Sequence, residues 1–257
     1  MATGQTGSVV DAGDAWFAPG IAATGTVAGV FRQAAYLRFG PRLLALCAPE
    51  VDPGPLHLRL DRLPALAVGL GVTLSDGRLV VGSLGLELDE EHRWSPEPVD
   101  AGALRAATPP GQPDAGRRAA DAGLAVDLVV EAGRMVGRGD LGAVAHLVGG
   151  RGPGLTPAGD DLLAGVLVAD AVLRPDDGRP RRRAAAGVQT TAVAAAFLRW
   201  AAVGRCIRPV HDVLAARAGH RGAAEATARR RLHRLGASSG PALLLGLDLA
   251  LFAEAQR

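Results

Sequence analysis

Apolar and polar residues alternate in short runs over the first hundred positions of the chain. Residues 56–60 read Leu-His-Leu-Arg-Leu, which is the alternation expected of a half-buried strand. Short apolar runs at residues 27–31, 35–39 and 43–47, with Gly-Pro-Arg between the last two, predict further strands. Ser75-Asp76-Gly77 separates two more such runs and predicts a hairpin, because Asp-Gly tolerates positive φ.

Beyond residue 113 the apolar positions follow helical spacing, as Leu124, Leu128 and Met135 illustrate. The Pro- and Gly-rich segment 108–113 precedes this change and predicts a linker. Helices are predicted over residues 114–138, 140–148, 157–173, 181–203, 209–218, 221–235 and 241–255. The predicted fold class is therefore α+β, with a β-rich N-terminal domain at residues 1–107 and a mainly α-helical C-terminal domain at residues 108–257.

The composition excludes several classes of enzyme. All 28 basic residues counted as Lys+Arg are arginine, so the chain has no Schiff-base lysine, no P-loop lysine and no ATP-binding kinase lysine. Arginine forks, backbone amides and helix dipoles would have to bind any phosphate or carboxylate. The net charge of +2 is too small to indicate nucleic acid or an anionic membrane as the main partner.

Cysteine content and hydropathy indicate the compartment. Cys47 and Cys206 are too few for a disulfide framework, which favours a reducing environment. Residues 1–14 lack a basic, apolar leader, and no apolar stretch of about 20 residues is free of charge. We therefore expect a cytoplasmic protein that neither spans a membrane nor binds nucleic acid. The arginine-rich runs at 179–183 and 229–231 are interpreted as solvated faces. Contact with an acidic partner subunit or with an anionic ligand is the alternative.

Residues 152–161, Gly-Pro-Gly-Leu-Thr-Pro-Ala-Gly-Asp-Asp, join a glycine-rich turn to a helix start. Thr156 is predicted to cap the helix, with Pro157 at its first position, where a missing N–H costs nothing. Gly152 and Gly154 allow a tight turn, and Gly159 leaves the first helical turn open to close approach. Amides at the positive end of a helix form an anion site without lysine. A capped helix that binds nothing is the alternative.

Asp160 and Asp161 are the candidate catalytic residues. Successive helical residues diverge by about 100°, so one carboxylate can face a ligand while the other braces the loop or an arginine. Adjacent carboxylates would repel a bound anion unless a divalent metal, a proton or an arginine intervenes. Mg²⁺ is therefore a candidate cofactor, although no set of metal ligands is identified. A substrate amide held by a carboxylate is the alternative.

A second helix start follows at Ser238-Ser239-Gly240. An ordinary capped helix is one interpretation. If the two helix starts converge, their amides would form a two-sided cradle for a small anion, and Ser238 or Ser239 would donate a hydroxyl to it. Arg205 is a weaker candidate for a carboxylate fork. The six histidines show no metal-ligand spacing, and none is predicted to be catalytic.

Residues 152–165 resemble the motif Gly-x-Gly-Leu-Thr-Pro-Ser-Gly-Asp-Asp-Phe-Leu-Ala-Gly of a family once known only as an uncharacterised domain. That family is associated with ureide and purine catabolism, including allantoin degradation, and one branch is the AllH-type subunit of oxamate carbamoyltransferase. The similarity covers mainly residues 114–255 and includes Ser238-Ser239-Gly240. Ala158 stands where the motif has serine, which removes one hydroxyl donor.

The resemblance implies carbamoyl transfer between oxalurate and phosphate, giving oxamate and carbamoyl phosphate, with partner subunits in a hetero-oligomer. The leading hypothesis is a carbamoyltransferase subunit that binds one of these small anions at the turn. Gly152, Gly154, Thr156 and Gly159 would supply contacts, and Asp160 or Asp161 would orient an amide or a metal.

Two other functions stay open at this point. One is a non-catalytic assembly subunit, in which the turn only organises an interface. The other is a nucleotide-dependent kinase that uses the glycine turn, which the missing lysine disfavours.

Overall fold

The computed structural model describes residues 8–17, 23–107 and 114–257. The chain forms two compact units that divide between Ser95 and Pro96. The first unit is a curled sheet and the second is mostly helical, which confirms the predicted α+β class and the order of the two parts. The predicted linker at residues 108–113 lies outside the described residues.

The described strands of the first unit form one sheet in the order β8-β7-β6-β2-β3-β4-β5-β1-β9. Neighbours are antiparallel except for the pairs β4–β5 and β1–β9, which are parallel. The strands are β1 Val9–Gly13, β2 Ala23–Val30, β3 Ala34–Phe39, β4 Arg42–Cys47, β5 His57–Leu60, β6 Gly71–Ser75, β7 Arg78–Val81, β8 Leu84–Glu87 and β9 Arg93–Trp94.

The alternating segments of the sequence form strands where they are predicted, and the hairpin turn has Asp76 at φ 50° and Gly77 at φ 74°. Strand β1 is not predicted, because Asp11 interrupts its short apolar run. The Arg59 side chain of β5 neutralises that carboxylate, with Nε donating to Asp11 Oδ1 at 2.8 Å. The pairing that makes β1 a strand is thus a contact with a distant segment.

The helices of the second unit match most of the predicted segments. They are α1 Ala101–Ala106, α2 Ala115–Ala122, α3 Val126–Arg138, α4 Leu141–Val148, α5 Ala158–Leu173, α6 Arg179–Gly187, α7 Ala192–Ala201, α8 Arg208–Ala218, α9 Gly222–His233 and α10 Ser239–Ala255. None of the helices in the described part of the chain is long and apolar enough to cross a membrane.

Two predicted helices are wrong because each is divided. The segment 114–138 breaks at Gly123, which ends α2 in the left-handed conformation at φ 65°. The segment 181–203 breaks between α6 and α7, where Thr191 caps the new helix by accepting a hydrogen bond from the Ala194 amide at 3.0 Å.

Helices α5 and α10 form the centre of the second unit. Twelve of the 16 residues of α5 are buried, as are 12 of the 17 residues of α10, so neither helix keeps a solvated face along its length. Their side chains, with those of the surrounding helices, make one continuous apolar core. The two helices are therefore a rigid support for whatever their N-terminal ends carry.

The two central helices begin in the same way. A Cβ atom at Gly159 would lie 1.9 Å from the Val148 carbonyl oxygen, and one at Gly240 would lie 1.9 Å from the Leu232 carbonyl oxygen. Each glycine amide also donates to a carbonyl of the preceding loop, at 2.8 Å for Gly159 and 2.9 Å for Gly240. The pairs α4–α5 and α9–α10 thus repeat one local arrangement.

The two helices also cross each other symmetrically, at Gly165 and Gly246. A Cβ at Gly165 would lie 2.3 Å from the Leu243 carbonyl oxygen, and one at Gly246 would lie 2.0 Å from the Leu162 carbonyl oxygen. Counted from the starting glycines of the two helices, these are equivalent contacts. Reciprocal contacts of this kind are what a local two-fold axis between α5 and α10 produces.

Candidate functional site

The glycine-rich turn before α5 depends on two backbone conformations that favour glycine. Gly152 has φ 116° and Gly154 has φ 92°, both in the region that L side chains rarely adopt. A Cβ at Gly152 would also lie 2.9 Å from the Ala158 amide nitrogen. A side chain at position 152 would therefore crowd that amide, which is the first of α5.

The prediction that Thr156 caps α5 is wrong. The helix begins at Ala158, Pro157 occupies the cap position, and no side chain in the described ranges makes a capping hydrogen bond there. The Thr156 hydroxyl instead lies 3.1 Å from the hydroxyl of Ser239, the first residue of α10. The hydroxyl that could have turned back to its own helix is directed to a neighbouring helix start.

The contact between Thr156 and Ser239 brings the starts of α5 and α10 together. The convergence on which the two-sided cradle depends is therefore present. A third helix start adjoins them, because the Thr191 hydroxyl at the cap of α7 donates to the Leu155 carbonyl oxygen. Helix dipoles add a partial positive charge at each start, so the starts of α5, α7 and α10 together favour a negative charge near the turn.

Asp160 braces the loop. Its Oδ1 accepts a hydrogen bond from the Gly150 amide at 2.8 Å, and its Oδ2 accepts one from the Thr190 hydroxyl. The residue is only 2% exposed. Burial raises the pKa of Asp160, and the two hydrogen bonds act against that rise. Both oxygens of this carboxylate are thus engaged by the protein.

Asp161 has the opposite environment. Its Oδ2 atom is buried and has no hydrogen-bond partner among the described residues. Burial raises the pKa of Asp161 to about 7, and the Asp160 charge adds to the rise, while the Ser239 and Thr156 hydroxyls act against it. Close to neutral pH this carboxyl therefore exists in both its protonated and its ionised form.

The amides around the turn divide into two groups. The close approach predicted at Gly159 is made by the protein itself, because the Arg151 and Val148 carbonyls occupy that position. The Gly240 amide is likewise bonded within the chain, to Leu235. The amides without a hydrogen bond to any residue that the structure describes are those of Gly152, Gly154, Leu155, Thr156 and Ala158.

Arg205 lies in the turn between α7 and α8, next to Cys206. Burial and the Arg205 charge lower the pKa of His211 to about 4, and the His211 Nε2 accepts a hydrogen bond from the Cys206 amide at 3.0 Å. Burial raises the pKa of the Cys206 thiol to about 12, and the Asp161 charge adds to this rise. Cys206 therefore lies close enough to Asp161 for the Asp161 charge to raise the pKa of its thiol.

The remaining expectations concern metals and the second helix start. Ser238 precedes α10 without a capping side-chain bond, and Ser239 meets Thr156. Within residues 8–17, 23–107 and 114–257, no group of three His, Cys, Asp or Glu side chains is arranged to hold a metal ion. Mg²⁺ therefore finds no protein cage in the described residues.

Two residues at this site were not identified from the sequence. Thr190 and Thr191 hold Asp160 and Leu155, but they lie inside a segment predicted as one long helix. The available signal was Thr-Thr before an alanine-rich run, because threonine is a preferred helix cap. A helix boundary placed at Thr191 puts the hydroxyls of Thr190 and Thr191 in the loop before α7.

The family comparison covers the part of the chain that builds this site. No solved structure matches the chain. The matched segment begins near the end of α4 and reaches into α10. It therefore contains the glycine-rich turn with Thr156, the two aspartates, Thr190 and Thr191, and the serine pair at the start of α10. Residues 147–251 match the model of the family described as oxamate carbamoyltransferase subunit AllH, which confirms over this segment the resemblance stated from the motif.

Proposed function

We propose that this chain is a subunit of a carbamoyltransferase of ureide and purine catabolism, and that it binds a small anion at the joined starts of α5 and α10. The family match supports the carbamoyltransferase part of this proposal, because the matched residues include every group at the turn. The ligands considered are carbamoyl phosphate, oxalurate, oxamate and phosphate. All of them are small anions, and all except phosphate carry an amide group.

The observation that carries the proposal is the buried Asp161 Oδ2 atom, which has no hydrogen-bond partner within the described part of the chain. A buried polar atom without a hydrogen bond costs roughly 1–3 kcal/mol, and more when it is charged. A ligand N–H group would satisfy it. Because the adjacent Asp160 is already bonded at both oxygens, we assign ligand contact to Asp161 and positioning of the loop to Asp160.

The groups around Asp161 suit the two ends of such a ligand. The unbonded amides of Gly152, Gly154 and Thr156 and the helix dipoles would hold its negative charge. The Thr156 and Ser239 hydroxyls, with Ser238 beside them, would complete the cradle. Arg205 would contribute a positive charge from the neighbouring turn.

The pKa of Asp161 removes the repulsion expected between an anion and two carboxylates. With a pKa of about 7, Asp161 takes up a proton when an anion binds beside it, because the neutral form then becomes the more stable one. A proton, rather than a metal ion, would thus separate the charges. A carboxyl of this pKa is also suited to general acid–base catalysis at neutral pH.

The reaction implied by the family name needs one proton transfer. An oxygen of hydrogen phosphate bonds to the carbamoyl carbon of oxalurate, and the bond from that carbon to the oxamate nitrogen breaks. The nitrogen keeps the bonding electron pair and takes a proton, which phosphate gives up. Asp161, protonated beside the bound anion, would donate its proton to the nitrogen and would then take up the proton that phosphate gives up.

The decisive experiment compares Asp161→Asn with Asp160→Asn in a carbamoyltransferase assay with the partner subunits supplied. Loss of a general acid–base group lowers kcat by roughly 100-fold or more, so we expect that loss for Asp161→Asn. Asp160→Asn should mainly raise KM, because it loosens the loop. Asp176→Asn, an exposed aspartate in the α5–α6 connection, is the control. Full activity of Asp161→Asn would end the catalytic proposal.

The alternative function is a non-catalytic assembly subunit. Titrating oxamate and carbamoyl phosphate into the isolated chain separates the two functions by calorimetry. A ligand-binding subunit gives saturable heat that Ser239→Ala weakens. An assembly subunit gives no saturable heat that Ser239→Ala weakens.

A further inference from the structure

A cleft of about 510 Å³ lies among α2, α9 and α10, and no residue of the candidate site lines it. Four arginines line it: Arg117 and Arg118 from α2, and Arg229 and Arg230 from α9. Residues of α10, including Pro241, form its apolar wall. Its size is in the range of small-molecule sites, which occupy roughly 300–1,000 Å³.

The floor of the cleft is a buried ion cluster. Asp248 of α10 is fully buried at 0% exposure. Arg229 binds both of its oxygens, with Nη1 at 2.9 Å from Oδ1 and Nη2 at 2.5 Å from Oδ2. Arg118 also donates to Asp248 Oδ2. A single carboxylate thus holds two guanidinium groups at one place, with donor N–H groups left over on both.

The charges around the cleft do not balance. The four lining guanidinium groups and the adjacent Arg217 make five positive charges. They face four carboxylates, so one positive charge is in excess: Asp114, Asp121, Asp248 and Glu225. The two lining carboxylates have other contacts. Asp114 accepts a hydrogen bond from the Arg117 amide at the start of α2, and Asp121 lies 3.5 Å from His233.

The two arginines at the floor, Arg118 and Arg229, are destabilised by partial burial and by neighbouring positive charges. Burial lowers the pKa of Arg229 to about 10, and the charge of Arg118 contributes to that fall. Burial lowers the pKa of Arg118 as well. Glu225 offsets this repulsion only in part, because it lies 3.7 Å from Arg229 and closer, at 2.6 Å, to Arg217. A bound anion would relieve the repulsion.

We propose that this cleft is a second anion site, and that it takes the phosphoryl group of a small molecule. Guanidinium groups match phosphoryl oxygens with paired hydrogen bonds, and two to four of them are suited to a dianion rather than to a single carboxylate. The cleft is larger than inorganic phosphate, so a phosphate monoester also fits the space.

The test titrates inorganic phosphate into the full chain at constant ionic strength, followed by calorimetry and by thermal stability. Parallel titrations with glycerol phosphate and succinate separate a phosphate ester and a dicarboxylate from free phosphate. We expect saturable binding of phosphate or its ester, and weaker binding of succinate. A wild-type chain that shows no saturable response to either phosphoryl compound overturns the proposal.

Variants locate the binding. Arg230→Gln leaves the Asp248 cluster intact and should weaken phosphate binding about tenfold, as the loss of one charge-assisted hydrogen bond does. Arg138→Gln, which changes an exposed arginine of α3, is the charge-matched control. Asp248→Asn removes the internal counter-charge and should tighten phosphate binding, which a purely structural cluster would not do.

The outcomes also distinguish this site from the turn before α5. Phosphate binding that Asp161→Asn abolishes and Arg230→Gln leaves unchanged would overturn the second site and assign all binding to the turn. Binding that Arg230→Gln weakens and Asp161→Asn leaves unchanged would support it. If Asp248→Asn does not fold, the Arg230→Gln result decides alone.

Discussion

Four arginines stand close together at the start of α6, and their environments differ. Arg181 is only 3% exposed, whereas Arg182 and Arg183 are exposed. The Arg181 guanidinium donates to Asp170 Oδ2 at 2.9 Å and to the carbonyl oxygens of Ala202 and Arg174, so it joins α6 to α5 and α7. The interpretation of this run as a solvated face is therefore wrong for Arg181.

Replacing Arg181 should destabilise the fold, whereas replacing the exposed Arg183 should have little effect. Arg181→Ala leaves buried carbonyl groups without donors, and hydrogen bonds to charged groups contribute roughly 1.5–3 kcal/mol each. We expect the free energy of unfolding in urea to fall by about 3 kcal/mol. Arg183→Ala should change it by less than about 0.5 kcal/mol. Equal effects of the two substitutions would contradict the anchoring role of Arg181.

Asp161 should make stability depend on pH in a specific direction. Its pKa is about 7 in the folded chain, against 3.8 for an unperturbed aspartate, so the folded state holds the proton more tightly. Its ionisation therefore destabilises the fold progressively as pH rises from about 4 to above 7. Asp161→Asn removes this penalty.

We expect the Tm of Asp161→Asn minus that of the wild type to increase with pH over this interval and then to level off. Chains of 150–250 residues shift by about 2–4 °C for each kcal/mol. Taking the difference cancels the contributions of His57 and His211, whose lowered pKa values make stability increase with pH. The same difference measured with Asp176→Asn should stay flat, and a flat profile for Asp161→Asn would show that Asp161 ionises normally.

The crossing of α5 and α10 depends on two glycines, Gly165 and Gly246. A Cβ at Gly246 would lie 2.0 Å from a backbone oxygen, so Gly246→Ala forces the helices apart. We expect a loss of about 3 kcal/mol in the free energy of unfolding. Gly137→Ala in α3 is the matched control, because among the residues that the structure describes no atom beyond its own stretch of helix lies within 4 Å of the added methyl group.

The control should stabilise the chain by roughly 0.5–1 kcal/mol, since alanine is the better helix former. Measuring both variants by thermal unfolding tests the crossing. A Gly246→Ala chain as stable as the Gly137→Ala chain would mean that the helices are not in backbone contact there.

Local patterns in the sequence predict the helices and strands but not the contacts between elements that are distant in sequence. Alternation and helical spacing identify most strands and helices, because those periods come from the backbone itself. The two divided helices were missed where the apolar spacing continues across the break at Gly123 and at Thr191. The contact between Thr156 and Ser239 joins residues 83 apart, and no local pattern encodes such a pairing.

The candidate site was predictable to a similar extent. Adjacent aspartates at a helix start indicate that one carboxylate faces a ligand while the other braces the loop or an arginine. Which one does so depends on Gly150 and Thr190, whose positions the fold decides. The raised pKa of Asp161 likewise comes from burial, which a single sequence does not reveal.

Helix α1 belongs to the helical unit of the chain. Leu104 is 3% exposed and packs in the helical core, and the Arg105 side chain donates to Glu254 Oε1 of α10 at 3.1 Å. We therefore propose a domain boundary near residue 96, before α1. The boundary expected from the sequence, after residue 107, would separate α1 from its core.

Two truncated chains test this boundary. A chain of residues 96–257 should unfold cooperatively, with the helical circular dichroism expected of α1 to α10. A chain of residues 108–257 should be less stable by about 2–5 kcal/mol, because it loses a buried leucine and the Arg105 contacts. Equal stability of the two chains in urea would place α1 outside the helical domain.

The local two-fold relation between α5 and α10 has a consequence for recognition. The positions equivalent to Asp160 and Asp161 in the second helix are Pro241 and Ala242, which have neither a charge nor a side-chain donor. A molecule lying on the shared axis would otherwise have two poses of equal energy. The acidic pair on one side only makes those poses unequal, so a near-symmetric scaffold can hold a polar guest in a single direction.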